Sequence, residues 1–226
     1  MEIIILAGGM GTRLRDVIQD VPKPMAPIQG KPFLEYLLNW VLKYPVSKIV
    51  FAVGYKADVI KAHFGENFKS IPIVYAEEKE PLGTGGAILN ALRYTSNKNV
   101  IIINGDTYFP VDLINLVKFH QTSAGALSIA LKEMKDFDRY GTVDLAEETI
   151  TGFKEKRPLE TGLINGGIYV LNKAFLYNMN LPERFSFEQA VLEEGASTGK
   201  LKAMIFTDTF IDIGVPDDYR KACREL

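Results

Sequence analysis

The sequence predicts a doubly wound α/β fold, a parallel sheet covered by helices on both faces. Three observations predict it: continuous apolar runs of strand length, amphipathic helical patterns between them, and short connections. The first run, 3–7 (IIILA), is a buried strand that ends on Gly8, Gly9 and Gly11. The stretch 32–44 follows, with Pro32 at a first helical position and Leu34, Leu37, Leu38 and Val41 on one face. Strands are expected at 48–54, 71–76 and 99–105, each continuously apolar and so buried on both faces. Helical periodicity fills the intervals at 56–64, 85–94 and 111–121. Beyond residue 125 the pattern changes: strand-like segments at 126–134, 141–146, 150–156 and 166–172 crowd together. A short strand at 209–213, a turn at Gly214-Val215-Pro216 and a closing helix end the chain. One domain is expected over 1–226, a ligand-binding half over 1–110 and a completing half over 111–226.

Composition narrows the classes. A chain of 226 residues buries roughly 70% of its unfolded surface and needs no disulfide or structural metal. Net charge is −2 with both signs interspersed, which argues against nucleic acid or an anionic membrane as partner. The single thiol, Cys223, has no disulfide partner and reads as inert. No apolar run is long enough to span a bilayer, and Glu2 stands where a signal peptide would be basic. A cytoplasmic protein is expected. Self-association into a homo-oligomer is left open.

In parallel sheets, ligands gather at the carboxyl ends of the strands. Those positions hold Gly8, Gly9, Gly11 and Arg13, then Gly54, then Glu77 and Glu78, then Gly105 and Asp106. Glycines beside a guanidinium let backbone amides approach an anion. The loop is neither a Walker A motif nor a dinucleotide fingerprint, and a plain glycine turn with Arg13 on the surface is the competing account. Lys23, between Pro22 and Pro24, is a cation on a stiffened backbone. Asp106 and Asp212 end two strands, and such a pair suits Mg²⁺, which takes its other oxygens from phosphates. Each could equally cap a turn.

Glu78, before a second glycine cluster (Leu82-Gly83-Thr84-Gly85-Gly86), can accept the neighbouring N–H donors of guanine. Glu155, Lys156 and Asn165 fall on adjacent strands of the second half, where Glu and Asn suit sugar hydroxyls and Lys suits a monophosphate. A solvated charge ladder is the plainer explanation of these three. Asp136-Phe137-Asp138 matches a short D-x-D by chance, and His63 and His120 lack metal-ligand spacing.

Read in order, Leu-Ala-Gly-Gly-x-Gly-Thr-Arg-Leu, Pro-Lys-Pro, Pro-Leu-Gly-Thr-Gly-Gly-Ala, Asn-Gly-Asp, Glu-Lys and Asp-Ile-Gly span the chain. Together they resemble the nucleotide-sugar pyrophosphorylases, the sugar-1-phosphate nucleotidylyltransferases. Within that family, 136–141 (DFDRYG), 163–172 (LINGGIYVLN), 185–189 (FSFEQ) and 210–219 (FIDIGVPDDY) are similar to the D-glycero-α-D-manno-heptose 1-phosphate guanylyltransferases. The resemblance implies a Rossmann-like nucleotide-diphospho-sugar transferase fold with a mixed, mostly parallel sheet. It implies GTP and a sugar 1-phosphate as substrates and Mg²⁺ as cofactor, held by Asp106 and Asp212.

By matching position, Leu6, Ala7, Gly8, Gly9, Gly11 and Thr12 would cradle the nucleotide. Arg13 and Lys23 would hold its triphosphate; Glu78, Gly83 and Thr84 would lie at the base. Gly141, Glu155 and Asn165 would hold the sugar, and Lys156 its phosphate. The chain ends after the last helix, so no attached left-handed β-helix is expected. Three rivals stand beside this: a UTP-dependent enzyme of similar length, a glycosyltransferase of related fold, and a non-catalytic nucleotide-sugar sensor.

Overall fold

The computed structural model describes residues 1–9, 11 and 21–226. The first apolar run is β1 (Glu2–Leu6). A small ribbon of β2 (Pro27–Ile28) and β3 (Lys31–Pro32) leads into α1 (Phe33–Val41). Pro32 stands one position before the first helical residue, with an extended ψ of 141°, so the helix begins at Phe33. Alternation continues through β4 (Lys48–Val53), α2 (Ala57–Phe64), the short β5 (Asn67–Phe68), β6 (Ile71–Glu77), α3 (Gly83–Leu92) and β7 (Asn99–Asn104).

The second half opens with β8 (Thr107–Tyr108) and α4 (Leu113–Thr122), whose start is capped by Asp112 accepting the N–H groups of Ile114 and Asn115. Next come β9 (Leu127–Phe137), β10 (Thr142–Ala146), β11 (Thr149–Lys154), β12 (Leu159–Asn172) and α5 (Lys173–Asn178). A helical segment over 187–198, π-helical across Glu188–Glu193, precedes β13 (Leu201–Phe206), β14 (Ile211–Asp212) and α6 (Pro216–Glu225). No helix among the described residues is long and apolar enough to cross a membrane.

One ten-stranded sheet runs through both halves in the order β10-β11-β13-β9-β12-β7-β1-β4-β6-β5. The pairs β6–β4, β4–β1, β1–β7 and β13–β9 are parallel; the other neighbours are antiparallel. Parallel pairing is therefore concentrated in the first half. The second half joins β10 to β11 by a tight turn, and such turns connect only antiparallel strands.

Successive residues of β1 face opposite cores. Ile3 and Ile5 pack with Leu34 and Leu37 of α1, Ile60 of α2 and Leu116 of α4. Ile4 packs on the other face with Ile88 and Leu92 of α3 and Leu176 of α5. Both faces of the central strands are dry, which is why their sequence is unbroken rather than alternating. Each such fully buried side chain contributes ~1.5–3 kcal/mol relative to exposure. A third cluster joins Ile211 and Ile213 to Ala222 of α6 and Phe33, and it fixes the segment carrying Asp212.

Candidate active site

Because β1, β4, β6 and β7 are parallel, the segments that follow them emerge on one edge of the sheet. Gly8 and Gly9 follow β1, Gly54 follows β4, Glu78 follows β6 and Asp106 follows β7. The glycines make room for Glu78. A Cβ on Gly54 would lie 2.7 Å from Glu78 Oε1, and one on Gly8 would lie 3.2 Å from the same oxygen. The other oxygen, Oε2, accepts the Leu82 N–H at 3.1 Å. Burial raises the Glu78 pKa, and the Leu82 N–H opposes that shift.

Lys23 opens a single 3₁₀ turn, Lys23–Met25, set between Pro22 and Pro24, and its side chain is only 13% exposed. Nζ donates to Asp106 Oδ2 at 2.5 Å and stands 3.6 Å from Asp212 Oδ1. Gly11 passes over its stem with φ of +58°, where a Cβ would sit 2.8 Å from Lys23 Cβ. Backbone pairing brings the two carboxylates together: Asp212 is registered with Thr107, and Ile213 N–H donates to Asp106 O at 3.0 Å. Burial and the charge of Asp106 push Asp212 upward, while Lys23 draws it back. The Tyr140 hydroxyl lies 3.5 Å from Asp212 Oδ2, and its pKa is raised by burial and by that carboxylate.

Two cavities meet at this point. One of ≈ 720 Å³ runs from Leu6 and Gly8 to Gly54, Glu78, Gly83 and Thr84. The other, ≈ 680 Å³, is lined by Gly141, Lys156, Asn165, Tyr140 and Asp212. Gly9, Gly11, Lys23, Asn104, Asp106 and Glu188 belong to both. Most residues singled out from the sequence thus face one continuous space. Ala7 does not: it is buried, and its N–H is taken by Ala52 O at 2.8 Å. Thr12 and Arg13 lie outside the described residues.

Glu155 and Lys156 occupy the exposed loop after β11 rather than a strand, which corrects their expected setting. The run 155–158 contains Pro158, which has no N–H to extend the ladder. Lys156 lines the second cavity and Glu155 lines neither. Asp136 and Asp138 are exposed and line neither cavity. Asn104, Tyr140, Tyr169 and Glu188 line the space without having been singled out. Asn104 and Glu188 sit inside stretches read for other residues, and the two tyrosines inside strand or loop patterns that carry no chemical signal.

Residues 2–226 match the family model described as nucleotidyl transferase. The chain belongs to that family. A D-glycero-alpha-D-manno-heptose 1-phosphate guanylyltransferase of Aneurinibacillus thermoaerophilus is 49% identical over 226 residues, covering 100% of this chain and 98% of the relative. A protein of the same name from Campylobacter jejuni is 48% identical over 220 residues, covering 97% of each. The crystal structure of HddC from Yersinia pseudotuberculosis complexed with GMP-PN aligns with a TM-score of 0.88 at 40% identity, covering 99% of this chain and 98% of that one. The Rossmann-like nucleotidyl transferase fold expected from the motifs is the fold observed.

Among the described residues of this nucleotidyl transferase, no group of three or more His, Cys, Asp or Glu side chains forms a self-sufficient metal site. Asp106 and Asp212 offer two hard oxygen donors at one point. That fits an ion which completes its shell from phosphate and water, as Mg²⁺ does.

Proposed function

We propose that this nucleotidyl transferase makes a GDP-sugar and pyrophosphate from GTP and D-glycero-α-D-manno-heptose 1-phosphate. The observation that carries the assignment is near-50% identity, end to end, with two proteins of that name. The meeting of two cavities at Lys23 and Asp106 supports the reaction class, because two substrates must reach one phosphorus.

The larger cavity takes GTP. The amides of Gly8, Gly9 and Gly11, which line this space, approach its phosphates, with Leu6, Gly83 and Thr84 along the nucleoside and Glu78 at the guanine edge. Glu78 lines this cavity with Oε1 beside Gly8 and Gly54, while Oε2 already holds the Leu82 N–H. The second cavity takes the sugar phosphate, with Gly141 and Asn165 toward its hydroxyls and Lys156 toward its phosphate; Glu155, outside the cavity lining, would reach the sugar only if the loop after β11 moved inward.

An oxygen of the sugar phosphate then attacks the α-phosphorus in line. The new O–P bond forms as the bond from the α-phosphorus to the bridging oxygen breaks, and pyrophosphate leaves with that electron pair. The nucleophile is already an anion, so no general base is needed. Lys23 neutralises charge on the oxygens that gain it, and Arg13, from its place in the glycine motif of the sequence, would add a second cation. Asp106 and Asp212 would hold Mg²⁺, which when bound supplies further neutralisation of the phosphates. With both substrates gripped by fixed groups, orientation supplies the rest of the rate.

The test is pyrophosphate release in the presence of Mg²⁺. GTP, UTP, CTP, ATP and dTTP are crossed with the 1-phosphates of heptose, mannose, glucose and N-acetylmuramate. Release with GTP and heptose phosphate is expected. Release with UTP would overturn the base assignment, and release with mannose phosphate alone the sugar.

A further inference from the structure

Glu188 is the one charged residue among those described that is common to both cavities and belongs to neither the phosphate loop nor the Lys23–carboxylate cluster. It is half-buried and held in place. Its Oε2 accepts the Thr84 hydroxyl at 2.6 Å and the Ser186 hydroxyl at 2.9 Å, while Thr84 Oγ1 in turn accepts the Phe187 N–H at 2.9 Å. Oε1 has no partner among the described residues.

The glycines of 83–86 exist in large part for this segment. Phe185 N–H donates to Leu82 O at 3.0 Å and Gly85 N–H donates to Phe185 O at 3.1 Å. A Cβ on Gly83 would meet Phe185 O at 2.5 Å, one on Gly85 would run into the Phe185 ring, and one on Gly86 would run into Glu183 O. Segment 183–188 is therefore seated in a side-chain-free groove of α3, and the seating delivers Glu188 to the junction. Glu188 also begins the π-helical stretch, a strained form of helix that commonly marks functional sites.

Burial raises the Tyr169 pKa and the charges of Glu188 and Asp106 add to the shift, so two acidic groups converge where the cavities meet. A polar residue meant only to fill space would not carry charge. An acceptor for a hydroxyl must be an acceptor, and a charged one binds more tightly.

We propose that Glu188 is a substrate-binding residue whose Oε1 accepts a hydrogen bond from a sugar hydroxyl, supplied either by the ribose of the nucleotide or by the ring of the sugar 1-phosphate. The proposal rests on the two-substrate assignment above. Glu188→Gln keeps an acceptor for Thr84 and Ser186 and so preserves the local fold, whereas Glu188→Ala removes both the support and the contact. Steady-state kinetics are measured for each substrate on the wild type and both variants, together with 2′-deoxy-GTP and 3′-deoxy-GTP, and melting temperature is recorded for each.

Glu188→Gln is expected to raise KM for one substrate about tenfold or more with kcat little changed, the pattern of a lost charged hydrogen bond made in ground and transition states alike. If the affected substrate is GTP, the wild type should discriminate against one of the deoxy nucleotides and Glu188→Gln should lose that discrimination. If it is the sugar phosphate, KM for GTP should stay constant. Unchanged constants for both substrates would overturn the proposal, as would a fall in kcat alone or a loss that follows the melting temperature in both variants. A wild type that turns over no nucleotide–sugar pair would instead remove the assignment of function, and Glu188 with it.

Discussion

At the scale of single residues, Lys23 decides the chemistry. Its ammonium is nearly buried and already bridges Asp106 and Asp212, so its desolvation has been compensated before substrate arrives. When phosphates bind, one cation must serve both the carboxylates and the incoming anion. Removing Lys23 strips the developing charge of a fixed partner and also leaves the two carboxylates unopposed. Lys23→Ala is expected to lower kcat by ~10²–10³, and Asp106→Asn to do the same, each with the fold retained. Stopped assays with circular dichroism as the fold control check this, and near-wild-type turnover in both folded variants would sink the assigned chemistry. Lys23 and Asp106 were legible because their sequence settings are restrictive: a lysine fenced by prolines, an aspartate at the end of the most apolar strand. Glu188 was not legible. The stretch 185–189 contributed to the family resemblance but assigned Glu188 no role, and only the tertiary approach to Thr84 brings it to the site.

At the scale of elements, the contest lies in the glycines of α3. A helix-interior glycine costs ~1 kcal/mol relative to alanine, so Gly86→Ala would stabilise an isolated helix. Here a Cβ on Gly86 would strike the Glu183 carbonyl and stand 2.7 Å from Leu82 Cβ. Backbone cannot yield as a side-chain tip can, and overpacking of this kind costs ~1–3 kcal/mol. Packing wins, and Gly86→Ala is expected to lower the melting temperature by a few degrees, about 2–4 °C per kcal/mol for a chain of this length. A calorimetric scan checks it; an equal or higher melting temperature would mean that segment 183–188 does not depend on the groove.

The same comparison explains which elements the sequence disclosed. β1, β4 and β7 are continuous apolar runs because helices cover both of their faces, and they were found where expected. β6 was found where expected but is only partly buried, with Ile73 and Ala76 inside and Pro72 exposed. β13, Leu201–Phe206, escaped because Lys202 interrupts a short run that follows a glycine and a lysine. Its parallel register with β9 and its antiparallel contact with β11 make it a strand. The loop at 155–158 erred the other way, its Glu-Lys pair reading as a strand continuation that Pro158 stops.

At the scale of the whole molecule, two buried titratable groups tie distant parts of the sheet together and set its response to acid. His120 of α4 packs against β9 with its Nδ1 2.9 Å from Ser128 Oγ, and burial followed by the charge of Lys98 lowers its pKa below 6.5. Glu2 of β1 is pushed upward by burial, but the Asn97 N–H, Lys48 and the Ser96 N–H outweigh that and leave it below 4.5. In both cases the unfolded chain takes up the proton first as pH falls. The folded state is then disfavoured, from 6.5 downward for His120 and from 4.5 downward for Glu2, until each folded group is itself protonated. The His120 contribution at the α4–β9 contact is therefore lost first, as an upper stage, and the Glu2 contribution at the start of β1 below it. Glu78 and Asp212, whose pKa values are raised, oppose that lower stage. Urea unfolding at a series of values from about pH 8 to about pH 3 resolves them. His120→Gln carries no titrating proton at that site and is expected to flatten the upper stage while leaving the lower one, whatever packing it costs at neutral pH. An upper stage of equal slope in His120→Gln would place that acid sensitivity elsewhere in the molecule.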